Sequence, residues 1–152
     1  MHTAAQVAQH IRDVHVGGNW TSVNLTDSLQ GISWQQATTR IGQLNTIAAL
    51  VFHINYYVAV VVKVLEGGPL DAHDKYSYDL PPIADEQAWE QLKAKALADA
   101  ERLAAWVEQL PDETLAADFT DAKYGTYYRN LHGIIEHTHY HLGQIVIIKK
   151  ML

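Results

Sequence analysis

The sequence predicts an all-α fold, a four-helix bundle with long interhelical loops. Three observations carry this. Apolar residues recur at helical spacing in four separate stretches, and Gly and Pro stop signals divide those stretches. No alternating run bounded by turn residues offers a convincing strand hairpin. The 152 residues form one expected domain, 1–152. A chain of this length buries about 68–70% of its unfolded surface, so it needs no disulfide or metal merely to fold.

The first helix is expected over Thr3 to His15, with Val7, Ile11 and Val14 at helical spacing and Gly17-Gly18 as the stop. A connector follows, with a short turn near Leu25–Leu29. The second helix starts at Ser33, which forms a capping box with Gln36, and its pattern persists to Glu66 before Gly67-Gly68-Pro69. That makes one continuous rod of about 33 residues, nearly 50 Å long. Val58, Val60, Val61, Val62 and Val64 favour strand locally, but the long period and the absence of turn signals override them. Asp85 caps the third helix, about 86–110, whose apolar ladder is Trp89, Leu92, Ala96, Leu103, Val107 and Leu110, with Pro111 ending it. The fourth helix spans about 126–150 on Leu131, Ile134, Ile135, Leu142, Ile145 and Ile148. Lys149 and Lys150 complement its C-terminal dipole end. Both long loops could reach from end to end of the bundle at about 3.3 Å per residue.

Composition removes several function classes. Cysteine is absent, which excludes disulfides, thiolate zinc sites and a cysteine nucleophile. Eleven Lys and Arg against seventeen Asp and Glu leave a formal charge of −6, and no basic cluster exists, so nucleic acid is not an expected partner. Residues 44–62 carry no Asp, Glu, Lys or Arg. They do hold Asn45, Thr46, His53 and Asn55, which are costly in hydrocarbon, so a helix buried in a bundle is expected and not a membrane span. The first fifteen residues have no charged region followed by an apolar run, and a cytoplasmic location is the expectation.

Nine histidines are the unusual count. His2, His10, His15 and His73 read as solvated surface residues. His137 and His141 lie four apart on the fourth helix, so both imidazoles project from one face and can share a metal ion. His139 is about 200° away from His137 and cannot join them. His53 sits on a small and apolar face of the second helix, where a neutral imidazole needs partners for both nitrogens. A metal opposite supplies one, and His53, His137 and His141 then match a three-nitrogen site. The plain alternative is three core histidines satisfied by polar neighbours. A zincin needs His-Glu-x-x-His, and here Thr138 follows His137. A ferritin-like di-iron bundle needs two Glu-x-x-His motifs, and only Glu136–His139 provides one.

The segment His137-Thr138-His139-Tyr140-His141-Leu142-Gly143-Gln144-Ile145 resembles the closing His-x-x-x-His-x-Gly-Gln-Ile motif of the DinB/YfiT-like superfamily. His53 matches that family's single histidine on the second helix, and Gly18–Thr21 and Asn45–Leu50 are similar to one subgroup. The resemblance spans essentially the whole chain. It implies a four-helix bundle, a divalent metal on three histidines, and a homodimer. It also implies, for some members, S-transferase or isomerase chemistry with a low-molecular-weight thiol. It does not imply DNA binding.

Three neutral imidazoles leave an ion its full +2 charge, which favours an anionic fourth ligand and lowers the pKa of bound water or thiol. Hydrolysis and thiol transfer on a small-molecule substrate are both open, as is a non-catalytic, metal-stabilised dimer that binds small molecules. Imidazole nitrogen suits nickel, copper and zinc alike, and zinc or nickel is the expected metal. Tyr57, Asn130 and Gln144 lie on the ligand-bearing faces and are the candidates to orient the imidazoles or line the pocket. Gly133 and Gly143 are attributed to close helix approach beside the metal. Tyr124, Tyr127, Tyr128 and Arg129 read as a solvated helix start, with a pocket mouth as the alternative.

Overall fold

The structure, a computed structural model, describes residues 2–152. Seven helices follow one another: α1 (Thr3–His15), α2 (Leu25–Leu29), α3 (Trp34–Thr38), α4 (Ile47–Leu65), α5 (Glu86–Glu108), α6 (Asp112–Leu115) and α7 (Tyr127–Met151). Among the described residues there is no strand, only an isolated bridge between Asp118 and Thr126. The four long helices α1, α4, α5 and α7 make the bundle, with α1 and α4 each packed on both α5 and α7. One helix, α4, is long and apolar enough to cross a membrane, and most of it is buried inside the bundle.

Two apolar clusters fix the direction of each helix. The first gathers Val14 of α1, Leu50 of α4, Trp89 and Leu92 of α5, and Leu142, Ile145 and Ile148 of α7. The second gathers Ala4 and Val7, Val61 and Val64, Leu103 and Val107, and Leu131 and Ile134. One end therefore holds the C-termini of α1 and α7 with the N-termini of α4 and α5. Residues 66–85 must run the full length of the bundle to join two parallel helices, whereas residues 109–126 connect at one end.

The continuous second helix expected over 33–66 is corrected to two helices, α3 and α4, with residues 39–46 between them. The capping box of Ser33 and Gln36 forms, but it starts only α3. Thr38 and Thr39 bond back to the carbonyls of Trp34 and Gln35, which competes with helix propagation. Gly42 then takes a left-handed φ of 53°, and the Thr46 hydroxyl accepts from Ala49 N–H to cap α4. The short helices α2 and α3 cover the first cluster. Trp89 Nε1–H donates to the Ile32 carbonyl at 2.8 Å, and Lys149 donates to Ser28 and Gln30 carbonyls at 3.0 and 2.7 Å.

The first helix borrows its cap. His2 supplies no side-chain cap, and Asp112 accepts from Ala4 and Thr3 N–H groups at 2.9 and 3.0 Å. Those N–H groups hold the Asp112 carboxyl below the ordinary carboxylate range. A depressed folded-state value stabilises the fold above the unfolded value of about 3.9 and is lost as pH falls through the folded value. Asp112→Ala should therefore destabilise the protein at neutral pH, with the difference from wild type shrinking below about pH 4. Urea titrations at several pH values check this.

Two expectations about single residues are also corrected. His15 is not solvated but 2% exposed, because it shares the inward stripe of Val7 and Ile11. Its Nδ1–H donates to the Ile11 carbonyl at 2.7 Å, and burial pushes its pKa down. Gly133 and Gly143 do not mark close helix approach, since a Cβ built on either meets nothing within 4 Å. Gly143 lies exposed in the helix interior, so Gly143→Ala should raise stability by about 1 kcal/mol, read from denaturant midpoints.

Candidate metal centre

The site lies at the waist between the two apolar clusters, where α4 faces α7. His53 stands near the middle of α4, between Leu50 of the first cluster and Val58 of the second. His137 and His141 stand one turn apart on α7 in the equivalent gap between Ile134 and Leu142. His137 Nε2 lies 3.0 Å from His53 Nε2 and 3.1 Å from His141 Nε2. One ligand atom from each of the three residues falls within 4.8 Å of the other two. His53 and His141 are buried, and His137 is half-buried.

Hydrogen-bond accounting decides what this arrangement can hold. Ser77 Oγ donates to the Asp74 carbonyl at 2.8 Å, so toward His53 it acts as an acceptor. His53 Nδ1 lies 3.0 Å from that oxygen and 3.3 Å from the Ser77 carbonyl, so it carries the hydrogen. His141 Nδ1–H donates to Gln144 Oε1 at 2.6 Å. Both rings, when neutral, therefore present Nε2 lone pairs, and both lone pairs face His137 Nε2. A hydrogen on His137 could serve only one of them. Adding protons is no remedy: burial, then the neighbouring His141 and His53, push His137 down to about 4. Burial and His141 likewise lower His53. Lone pairs converging on one point fit a cation, and the spacing is near the roughly 3.3 Å between nitrogens bound at 2.0–2.1 Å in a tetrahedral site.

The site opens into a cleft of about 1070 Å³ lined by α4, α7, the crossing segment 66–85 and, from the 109–126 connection, Phe119 and Tyr124. Tyr78 stacks flat on the His53 ring, with centroids 4.0 Å apart. Tyr57 packs edge-on against His53 and His137 at 5.3 and 5.0 Å. Its hydroxyl donates to Asp74, and burial together with that bond holds its pKa up at about 12.

A family model of the DinB superfamily matches residues 19–145. The chain belongs to the DinB superfamily. All three clustered histidines fall inside the matched DinB region. No curated protein and no solved structure matches the chain.

Of the residues expected to orient the imidazoles of this DinB chain, Gln144 bonds His141 directly and Tyr57 touches two rings by its edge. Asn130 does neither. Seven residues before His137 is two turns, about 10.5 Å along the axis, which is out of reach. The Asn130 amide instead donates to the Tyr124 and Thr126 carbonyls at the start of α7, and the residue lines the cleft. His132 sits against Tyr128 and His10, away from the cluster. Tyr124, Tyr128 and Arg129 line the cleft, while Tyr127 packs on Phe119. The sequence reading missed Asp74, Ser77 and Tyr78. They lie in a Pro-containing loop without helical register, so no spacing rule pointed them at His53. Ser77→Ala should weaken metal affinity by about 10–100-fold, as measured by calorimetric titration.

Proposed function

We propose that this DinB-superfamily protein is a divalent-metal-dependent enzyme acting on a small molecule, with His53, His137 and His141 as ligands and zinc or nickel as the metal. The observation that carries the reading is the cluster's position at the wall of an open cleft, since a structural site is closed on all sides. An ion on three neutral imidazoles keeps its +2 charge, polarises a bound group and lowers the pKa of bound water or thiol. The chain's own residues do the rest. Ser77 and Gln144 fix the tautomers of His53 and His141, and Asp74 holds the Tyr57 hydroxyl. The Tyr57 and Tyr78 rings shield the cluster from solvent.

The reaction proposed is thiol S-transfer or isomerisation, or else hydrolysis, since the three ligands serve either class. The chain has no cysteine, so a thiol would come from a bound low-molecular-weight cosubstrate. The family resemblance implies a homodimer, and a cytoplasmic location is proposed from the sequence reading and not from the family. The test begins with metal analysis of protein purified without an affinity tag, followed by conjugation of electrophiles with several biological thiols. Turnover by the metal-loaded protein and none by His141→Ala supports the reading. Metal-dependent melting with no turnover of any thiol or ester substrate would replace it with a metal-stabilised binding module.

A further inference from the structure

The cleft is longer than the histidine cluster needs, and its far end is chemically distinct. Arg129 is the cleft's one Lys or Arg. Its level lies eight residues before His137, about 12 Å along α7. Its stem runs further from the cluster, over Gly125, where an added Cβ would come within 2.7 Å of Arg129 Cδ. Gly125 has a φ of 74°, so the turn both requires glycine and leaves a notch for the stem.

Arg12 and Arg102 are each neutralised by glutamates. Among the described residues, no carboxylate lies within ion-pair distance of Arg129. It also occupies the first turn of a 25-residue helix that carries no acidic residue there, the place where a cation is least favoured by the helix dipole. Positive charge is thus concentrated and uncompensated at one end of the cleft, in a chain of net charge −6. The cleft's acids, Asp74 and Glu136, stand toward the other end, Asp74 bonded to Tyr57 and Glu136 next to His137. The rings of Tyr124 and Tyr128 line the same cleft.

We infer that the far end of the cleft is an anion subsite, in which Arg129 binds the carboxylate or phosphate of an elongated small molecule whose opposite end reaches the histidine cluster. The inference rests on the metal-site reading above. The cleft volume suits a ligand of that size. The guanidinium offers paired donors that match either anion.

The experiment uses the cobalt-loaded protein and reads the near-ultraviolet thiolate-to-cobalt charge-transfer band. The probes are ω-mercaptoalkanoates of increasing length, the matching ω-mercaptoalkyl phosphonates, and ω-mercapto-alcohols as neutral controls. Wild type should bind long-chain anionic probes about tenfold more tightly than alcohols of equal length. Short chains that cannot span the cleft should show no such preference. Arg129 is exposed, so Arg129→Gln should fold normally, keep the band and lose the preference. The better anionic terminus, carboxylate or phosphonate, identifies the source of the charge. Equal affinity for anionic and neutral probes at every length, or a preference surviving in Arg129→Gln, overturns the anion subsite and leaves the metal reading standing. No thiolate band with any probe overturns both.

Discussion

Replacing His53 with alanine is expected to strip the protein of metal. Only the His137–His141 pair would remain, and two imidazoles one turn apart are a weak chelate beside three. The loss should exceed the roughly 10–100-fold that follows from disturbing a partner of a ligand. Protein isolated as His53→Ala should carry metal near background, while wild type carries about one equivalent per chain. Its melting temperature should also stop responding to chelator. Because His53 lies on α4 and the pair on α7, the result bears on more than one side chain. It asks whether two separate helices share an ion. Metal content unchanged by the substitution would show that they do not.

Trp89→Ala should produce the largest loss of stability. The indole is fully buried in the first apolar cluster, and its N–H bond to Ile32 is one of two that tie the connector carrying α2 and α3 to α5, the other running from Trp34 N–H to Glu86. Truncating a buried Trp costs about 3–5 kcal/mol, and leaving the Ile32 carbonyl without its donor adds to that. At about 2–4 °C per kcal/mol for a chain of this size, the midpoint should fall by roughly 10 °C or more. Trp106, 41% exposed, provides the control, and its replacement by alanine should cost far less. Calorimetry of the two variants against wild type decides the matter.

The sequence was most legible where a residue's role follows from its place on a helix face. The bounds of α1, α5 and α7, the caps at Ser33 and Asp85, and the inward ladders of α5 and α7 all follow from period and stop signals. The convergence of His53 with His137 and His141 was legible for the same reason. Each is a deviation from the residue type its face predicts. The break between α3 and α4 was not, although Thr39, Gly42 and Thr46 each mark it. Weak local signals lost to an apolar period that happened to continue in phase across the gap. His15 was misread because residue type was weighed above its position on the Val7–Ile11 stripe. The wall of the site was beyond reach altogether. Asp74, Ser77 and Tyr78 are placed by a crossing whose existence depends on α4 and α5 running parallel, and no local pattern encodes that direction.

The crossing segment has one more consequence. The tautomer of His53 is set by a stretch of chain outside the bundle helices, with only the single 3-10 turn Asp74–Tyr76 to stiffen it, held to α4 by the bonds at His53, Tyr56 and Tyr57. Brief detachment of residues 73–78 releases the ring to rotate while every bundle helix stays intact. The centre therefore inherits the kinetics of a loop, and rearrangement there runs on the timescale of local opening, far faster than global unfolding.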